Sequence, residues 1–533
     1  MDSSSNRGNA LRLAFAMGAA LMAAMAWRLE LVFDDAFISF RYSKLFALGE
    51  GLRFNLGVEP PVEGYSNLLW VLWCSIPEYF GFDTPTWALW SNLACGVALL
   101  GFVLRFVTSR LQPSTATIFA TALFFAALPA MAVYSTGGLE TMAFALAIFV
   151  FFERLAGDEE RASIGAASIA GLAAVFLRPD GIIWVVVLSV LCGWLRQKSN
   201  PKRTEASNLG RAVLIAGGVC LVGFCLHTAW RYSYHGDWVP NTARAKASFS
   251  SMTMERGGKY ALSYLVNFPT ITLICLASMF AAFRSRSRLA ARGAKHLSLG
   301  LLVRQCLLFV LATLGYSIAV GGDFLPMGRF LLPGLPFVAI LFAVVVEGYI
   351  RRARALTFAL SIAFVVLSAL PSFDTYLAPA AWRSAIHYNW NFKEYLSEIE
   401  LLDGERKRSN ELAEMGRALK LIAKPDASLV LGTVGATGYY SDLFLYDQFG
   451  LVNREVAALP WHGRRLAAGH DRYADSKFFT KYSPTYLQAS LIDVDDSGTP
   501  LKKIRKTKGR RIIVLDPQQG FSANKALLLF EGE

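Results

Sequence analysis

Residues 31–42 read Leu31-Val32-Phe33-Asp34-Asp35-Ala36-Phe37-Ile38-Ser39-Phe40-Arg41-Tyr42, with two adjacent carboxylates placed directly after the first apolar segment of the chain. Adjacent aspartates in a connecting segment are usually solvated surface groups or helix caps. Here they precede an amphipathic segment that would lie on a membrane surface, and ionisable groups held at that depth are functional by default. The stretch therefore predicts a membrane protein whose Asp34–Asp35 pair is a candidate for chemistry at the bilayer surface.

The composition supports the membrane class. Of the 533 residues, 54% are hydrophobic and only 17% are charged, whereas soluble proteins carry about 25% charged residues. The net charge of +13 falls mainly in short loops between apolar stretches, so it indicates the positive-inside pattern and not nucleic-acid binding. The seven cysteines form no CxxC pair or zinc spacing, so we interpret them as small buried hydrophobes.

Apolar stretches of spanning length predict about eleven transmembrane helices. The first follows Arg7 and Arg12, and without a clear cleavage site before the aspartates we expect a retained helix with a cytoplasmic N-terminus. The shorter, tryptophan-rich run 66–80 is predicted to be an interfacial helix. The predicted spans are 10–28, 84–106, 113–133, 138–155, 162–177, 180–196, 211–230, 260–283, 298–319, 329–349 and 354–372.

The positions of the basic segments predict the orientation. If 66–80 does not span, the basic segments all lie on one side of the membrane, as the positive-inside rule requires. The loop 29–83 and everything after about residue 373 then lie on the outer face of a bacterial inner membrane, facing the periplasm. The basic segments are Arg105/Arg110, 196–203, 284–295 and 351–354.

The chain is predicted to comprise two domains. Residues 1–372 form a transmembrane catalytic domain, and residues 373–533 form an extracytoplasmic α/β domain. The stretch 391–423 has helical spacing, and short β-type runs follow at 428–435, 443–446, 485–489 and 511–515. The glycines at 432, 435 and 438 lack the Gly-Lys-Ser/Thr ending of a phosphate loop, and the residues after them do not predict a helix, which disfavours a nucleotide site.

An enzyme that opens to the outer face cannot reach nucleotide sugars and needs a lipid-linked donor, normally a polyprenyl phosphate that carries a sugar. Such a reaction needs a carboxylate that accepts the proton of the attacking hydroxyl and a cation that holds the phosphate. Asp34 or Asp35 supplies the first. Arg178, Lys246, Arg244 and Arg329 are candidates for the second, although each alone is also typical of an interfacial anchor.

Several motifs, taken in order, resemble the GT-C superfamily of polyprenyl-phosphate-dependent glycosyltransferases, and most closely the branch of the mycobacterial terminal arabinofuranosyltransferase. The resemblance covers nearly the whole chain. Each motif is weak alone and the ordered set is specific. The motifs are residues 34–42, Gly49 to Asn55, Val62 to Trp70, Ser135 to Thr141, Leu177 to Gly181, His235 to Thr242, Gly321 to Pro326, Gly438 to Ser441 and Asp447 to Leu451.

The resemblance implies a multi-span bundle with an interfacial helix in its first outer loop, a soluble outer domain, and a donor such as polyprenyl-phosphoryl-D-arabinofuranose. It assigns the catalytic carboxylate to the aspartate pair, with Asp34 preferred as the base and Asp35 as its support. The sequence departs from the branch at Gly137-Gly138 and at Leu68. The residues implied to line the donor and acceptor cavity are Arg41, Glu63, Tyr65, Asn67, Glu140, Arg178, Asp180, His235, Asp237, Asn241, Asp323 and Arg329.

Alternatives remain open at this point. A hexosyl transferase that uses mannose or glucose fits the same motifs, and the acceptor is a glycan or a glycoconjugate, including a glycoprotein. A transporter of lipid-linked sugars should show inverted repeats, which this sequence lacks. The mechanism can invert with one base or retain with a carboxylate nucleophile. No cofactor is expected; a divalent metal is compatible with the acidic pair, but no ligand spacing indicates one.

Overall fold

The computed structural model of the chain describes residues 2–156, 163–199, 205–246, 250–288, 294–350, 352–387, 394–461, 468–502 and 509–532. Helices dominate it until about residue 422. They are α1 (Asp2–Arg28), α2 (Asp34–Ala47), α3 (Leu68–Phe80), α4 (Thr84–Leu111), α5 (Thr115–Ala127), α6 (Pro129–Tyr134), α7 (Thr141–Ala156), α8 (Ile164–Leu177), α9 (Gly181–Ser199), α10 (Glu205–His235), α11 (Asn241–Lys246), α12 (Ser251–Asn267), α13 (Pro269–Arg288), α14 (Ala294–Ala319), α15 (Leu335–Ile350), α16 (Arg354–Ala369), α17 (Ala380–Ala385), α18 (Glu398–Ile422), α19 (Gly435–Ser441) and α20 (Arg454–Ala457).

Two compact units make up the chain. Unit 1 comprises Met1–Leu31, Leu89–His227 and Phe249–Leu401. In it, α1 packs against α5, α5 packs against α15 and α16, and α7 packs against α8. Helix α15 is apolar around most of its circumference and most of its residues are buried, as expected of a helix without a polar face. Unit 1 is therefore a helical bundle organised around α5 and α15.

Six of the described helices are long and apolar enough to cross a membrane, or up to seven if one bent pair counts as a single span. The chain is accordingly a multi-pass membrane protein. The predicted number of about eleven spans is not confirmed. The apolar run 113–133 breaks at Leu128, where α5 ends and α6 begins, and several other apolar helices have 10–17 residues, fewer than the about 20 that a bilayer needs. Parts of the basic segments 196–203 and 284–295, and Arg351, lie outside the described residues.

Unit 2 comprises Val32–Ala88, Thr228–Ser248 and Leu402–Glu533. Its core joins side chains of α2, such as Ile38 and Tyr42, to strand side chains such as Leu429, Leu445 and Leu527. Helix α2 packs against α3 and α19. The segment expected to lie on the membrane surface is therefore largely buried in protein, because its apolar face covers the strands that follow much later in the chain.

A five-stranded sheet forms the last part of unit 2, in the order β2-β1-β3-β5-β4. Its strands are β1 (Ser428–Leu431), β2 (Phe444–Asp447), β3 (Tyr486–Asp493), β4 (Arg510–Val514) and β5 (Lys525–Glu531), with short 3-10 turns at Arg329–Gly334, Leu370–Phe373, Ser476–Tyr482 and Pro517–Gln519. Strand β1 pairs in parallel with β2 and β3, whereas β5 pairs antiparallel with β3 and β4. The four predicted β runs all contain strands.

The sequence missed β5, which lies between β3 and β4 in the sheet. It also missed α19, which runs through Gly435–Ser441 where no helix was expected. Glycine and tyrosine give that segment a low helix propensity, and its burial compensates for it. The predicted boundary at residues 372 and 373 stays a prediction. By compactness, Val32–Ala88 and Thr228–Ser248 group with Leu402–Glu533.

Candidate active site

Asp34 and Asp35 both lie in the first turn of α2, where carboxylates interact favourably with the helix dipole. The Asp34 side chain is only 5% exposed, and each of its oxygens accepts a backbone N–H. Oδ2 accepts from Gly435 at 3.2 Å and Oδ1 accepts from Ala436 at 2.8 Å. Asp34 thus binds the start of α19 with both oxygens.

The approach of α19 to Asp34 requires glycine at position 435. A Cβ there would lie 2.0 Å from the Asp34 carbonyl oxygen, which is an impossible contact. Burial raises the pKa of Asp34 to about 7, against the lowering effect of the backbone N–H of Ala436, and the Asp35 charge raises it further. Asp34 is therefore a buried anchor whose protonation changes near neutral pH.

Asp35 is partly exposed, and its charge reaches groups from later in the chain. It raises the pKa of Glu405, which burial also raises. It also acts to raise the pKa of His470, although burial lowers that pKa overall. The charge of the Asp35 carboxylate thus affects the pKa of two titratable side chains of unit 2, Glu405 and His470.

Lys246 ends helix α11 and is partly buried. Among the residues that the structure describes, it has no hydrogen bond or ion pair. Its stem runs past Gly469, where a Cβ would lie 3.4 Å from the lysine Cε, and its charge lowers the pKa of His470. Lys246 therefore packs beside the segment that carries His470 and lowers the pKa of that histidine.

Arg41 was expected to line a cavity, but its guanidinium forms hydrogen bonds within the protein. It donates to the carbonyl oxygens of Phe54 at 2.7 Å, Gly438 at 2.5 Å and Leu443 at 2.7 Å. Burial lowers its pKa to about 10. Arg41 links α2 to Phe54, to α19 and to the turn between α19 and β2, so its role in the structure is architectural.

Other predicted site residues of unit 2 also form a buried framework. Glu63 accepts from Arg231 at 2.6 Å, with side chains 2% and 3% exposed, and burial raises the pKa of Glu63 to about 7 despite that ion pair. Tyr65 Oη lies 3.1 Å from His235 Nε2. Asn67 accepts from Ser39, and Asn241 donates to the carbonyl oxygens of Gly450 and Leu451.

The remaining predicted cation of unit 2 is Arg244. It forms an ion pair with Asp237 at 2.6 Å, and half of its side chain is exposed. An exposed pair of this kind contributes little to stability. Arg244 thus has a carboxylate partner already, in contrast to Lys246.

Five predicted site residues lie in unit 1, and they form two local groups. Arg178 pairs with Asp180 through two hydrogen bonds of 2.9 and 3.0 Å, and its Nη1 lies 3.9 Å from Glu140. Arg329 pairs with Asp323 through bonds of 2.6 and 2.9 Å. The two guanidinium groups are each 5.3 Å from the centre of the Phe330 ring, so the two groups share one aromatic contact.

The charges in this unit 1 cluster bear on phosphate binding. Trp184 Nε1 also donates to Asp180, at 3.3 Å. Two arginines face three carboxylates, so the cluster carries no positive surplus. Bidentate pairing with aspartate also occupies the geometry by which an arginine grips a phosphate. The cluster is thus better explained as an ionic framework than as a phosphate site.

Sequence reasoning missed Glu405 and His470. No local motif marks Glu405 or His470, although the charge of Asp35 affects the pKa of both. Within the part of the chain that the structure describes, no group of three or more His, Cys, Asp or Glu side chains is arranged to hold a metal ion.

Comparison with known proteins places the architecture in a class. Residues 397–522 match the model of a family described as a domain of unknown function, DUF8728. No curated protein sequence matches the chain. Solved structures match the chain over nearly its whole length. The chain has the GT-C fold, a multi-span helical membrane bundle with a small C-terminal sheet region.

The individual structures are distant in sequence. ArnT from Cupriavidus metallidurans bound to undecaprenyl phosphate has 15% identity and a TM-score of 0.53, and the match covers 97% of each chain. ArnT in the apo state has 13% identity and a TM-score of 0.53 over 99% of each chain. The Archaeoglobus fulgidus oligosaccharyltransferase in complex with Zn and sulfate has 10% identity and a TM-score of 0.51, over 90% of this chain and 68% of that one.

Proposed function

We propose that this protein is a membrane glycosyltransferase that moves a sugar from a polyprenyl-phosphate donor to a hydroxyl group of a glycan or glycoconjugate. The observation that carries the proposal is the division of labour in the aspartate pair. Asp34 is buried with both oxygens bound to backbone N–H groups, while Asp35 is partly exposed.

Asp35 is the base in this mechanism and Asp34 is its support, the reverse of the preference drawn from the sequence. The acceptor O–H gives its proton to Asp35 while its oxygen bonds to the anomeric carbon. The bond from that carbon to the phosphate oxygen breaks, and polyprenyl phosphate leaves as an anion. Lys246 is the cation best suited to stabilise that anion, because charge that develops during reaction is stabilised by prepositioned opposite charge.

An apolar cavity in unit 1 supports the proposal that the donor carries its sugar on a lipid. Its volume is about 460 Å³, and aliphatic side chains of α13, α14 and α15 line it, with Tyr264, Cys275 and Arg304 as its ionisable groups. Such a wall suits an isoprenoid chain, since burial of apolar surface is favourable in proportion to area. The fold that this chain shares with ArnT bound to undecaprenyl phosphate supports the same carrier class.

The favoured donor sugar is D-arabinofuranose, because the ordered motifs resemble the terminal arabinofuranosyltransferase branch. We place the transfer on the outer face of a bacterial inner membrane, since that orientation keeps the basic loops inside.

The test uses the full-length protein in nanodiscs with polyprenyl-phosphoryl-arabinofuranose, -mannose and -glucose, each with an arabinan and a mannan acceptor. We expect transfer from the arabinofuranose donor, with release of one polyprenyl phosphate for each sugar transferred. Transfer from a hexose donor alone would replace the sugar assignment. Absence of transfer from every lipid-phosphate donor would overturn the function.

A further inference from the structure

A buried carboxyl group joins two turns of unit 1. Glu398 lies in the first turn of α18 and is 5% exposed. Its Oε2 accepts the backbone N–H of Met327 at 2.5 Å, and its Oε1 accepts the side-chain amide of Asn267 at 3.2 Å. The backbone N–H of Glu398 donates to Tyr376 Oη at 3.2 Å, so the residue is held at its backbone and at both carboxyl oxygens. We call Glu398, Met327 and Asn267 together the Glu398 bridge.

The first of the two turns is the bend between α12 and α13. Asn267 ends α12 and Pro269 begins α13, and the two helices are bent by 91° at this break. Phe268 between them has a non-helical backbone, as is common for the residue before a proline. The Asn267 side chain is buried, and its Nδ2 also donates to Ser263 Oγ at 3.3 Å. The Glu398 bridge therefore holds the bend at the residue where α12 ends.

The second turn precedes the 3-10 turn Arg329–Gly334. Met327 has a φ of +62°, in the left-handed region that a residue with a Cβ adopts at a cost, and its side chain is fully buried. Gly328 follows with a φ of +74°, and a Cβ there would overlap the ring of Tyr264 on α12. The turn thus packs closely on α12, and the bond from the Met327 N–H to Glu398 stabilises its unusual backbone.

Both turns lead into the wall of the apolar cavity of unit 1. Tyr264 and Leu265 line the cavity just before the bend, and Ile271 lines it just after the bend. Leu331 and Gly334 line it a few residues after the second turn. The Glu398 bridge thus joins the two segments of the chain from which these wall residues come.

We infer that Glu398 is a positioning residue that holds these two parts of the wall together and thereby sets the affinity of the cavity for a polyprenyl chain. The inference rests on the proposed function, which supplies the lipid-phosphate donor. The gain from burying an isoprenoid chain grows with the apolar area that it covers. The bridge should therefore matter for a long chain that fills the cavity and not for a short one.

The experiment compares binding of undecaprenyl phosphate and of geranyl phosphate to the full-length protein in detergent micelles. Glu398→Ala removes both side-chain bonds of the bridge. If the formed cavity is then populated only about a tenth of the time, the affinity for undecaprenyl phosphate falls about tenfold. The affinity for geranyl phosphate should stay at the wild-type value. An equal loss for both lipids would mean that Glu398 supports only the fold, and it would contradict the inference.

Two further variants separate hydrogen bonding from charge. Glu398→Gln should keep the bridge, because its oxygen can accept the Met327 N–H while its amide donates to Asn267 Oδ1 after the asparagine amide turns over. That oxygen is buried and has no hydrogen-bond donor in the part of the chain that the structure describes. Asp403→Ala is the matched control, since it removes an exposed carboxylate of the same helix that pairs only loosely with Arg406. Both variants should bind undecaprenyl phosphate as wild type does.

Should Glu398→Ala fail to fold, Asn267→Leu carries the test, because it breaks the bond to the bend and leaves the bond to Met327. The same selective loss of the long-chain lipid is expected. Wild-type affinity for undecaprenyl phosphate in a folded Glu398→Ala, or in Asn267→Leu, would overturn the inference, and transfer by those variants would leave the proposed function intact. Selective loss of the long-chain lipid, with no transfer from any lipid-phosphate donor in wild type, would instead overturn the proposed function and retain the bridge as a determinant of lipid binding.

Discussion

Replacing each aspartate of the pair by asparagine should separate a stability defect from a catalytic one. In Asp34→Asn, the side-chain oxygen can still accept one backbone N–H, but the amide nitrogen then faces the other, donor against donor. The variant loses one of the bonds to Gly435 and Ala436 and leaves a buried N–H unsatisfied. That change costs about 1–3 kcal/mol.

Asp35→Asn should have the opposite profile. Asp35 is partly exposed, so we expect little change in stability. Loss of a general base costs typically 10²–10⁴-fold in rate, which corresponds to about 2.7–5.5 kcal/mol of transition-state stabilisation. Asp34→Asn should keep transfer within about tenfold of wild type for the folded fraction, since the base remains.

The pH dependence of stability gives an independent signature of Asp34. Its folded pKa of about 7 lies above its ordinary value of 3.8, so the folded state holds the proton more tightly than the unfolded state. The stabilisation from that proton is complete below about pH 4 and is lost as the pH rises to about 7. Asp34→Asn should remove this slope, whereas Asp35→Asn should retain most of it.

The assays are thermal unfolding of both variants in detergent between pH 4 and 8, and transfer rates in nanodiscs at neutral pH. The reasoning is refuted if Asp34→Asn unfolds like wild type and abolishes transfer while Asp35→Asn remains active. That result would restore Asp34 as the base and make its two backbone bonds part of the reaction geometry.

Further predictions concern the framework and the lipid. Gly435→Ala should destabilise unit 2 by several kcal/mol or prevent folding, because its Cβ would lie 2.0 Å from the Asp34 carbonyl oxygen; an unchanged melting temperature would contradict this. Leu276→Trp, in the wall of the apolar cavity, should raise KM for a long-chain donor but not for a short-chain analogue. The control is Leu273→Trp, on the same helix and equally exposed at 50%. Leu273 lies outside that wall, so its replacement should leave KM unchanged for both donors. Cysteine substituted for Ser497 should react with an impermeant thiol reagent in intact spheroplasts. Labelling only after lysis would put Ser497 on the cytoplasmic side and contradict the predicted topology.

The broad fold was predictable from the sequence. The features that were not predicted were missed for physical reasons. Apolar runs identified most helices because spanning segments need long apolar stretches, but length alone did not reveal that the run 113–133 breaks at Leu128. Strand β5 was missed although Lys525–Glu531 contains five consecutive apolar residues after Lys525. A short apolar run does not by itself distinguish a buried strand from a helix segment.

The candidate site was only partly predictable. The aspartate pair stood out because two carboxylates directly followed an apolar segment, and the structure gives the two side chains different surroundings. Arg41 and Glu63 were expected in a cavity, but their charged groups are buried and bonded to the protein. Glu405 and His470 were not predicted, because their electrostatic interaction with Asp35 joins parts of the chain hundreds of residues apart, which local patterns do not encode.

The most direct test of the central claim compares wild type with Asp35→Asn in nanodiscs that contain polyprenyl-phosphoryl-arabinofuranose and an arabinan acceptor. The measurement is the rate of polyprenyl phosphate release together with sugar transfer to the acceptor. We predict one phosphate released per sugar transferred by wild type, and a loss of at least about 100-fold in Asp35→Asn with donor binding retained. Equal rates in the two proteins would contradict the assignment of Asp35 as the base.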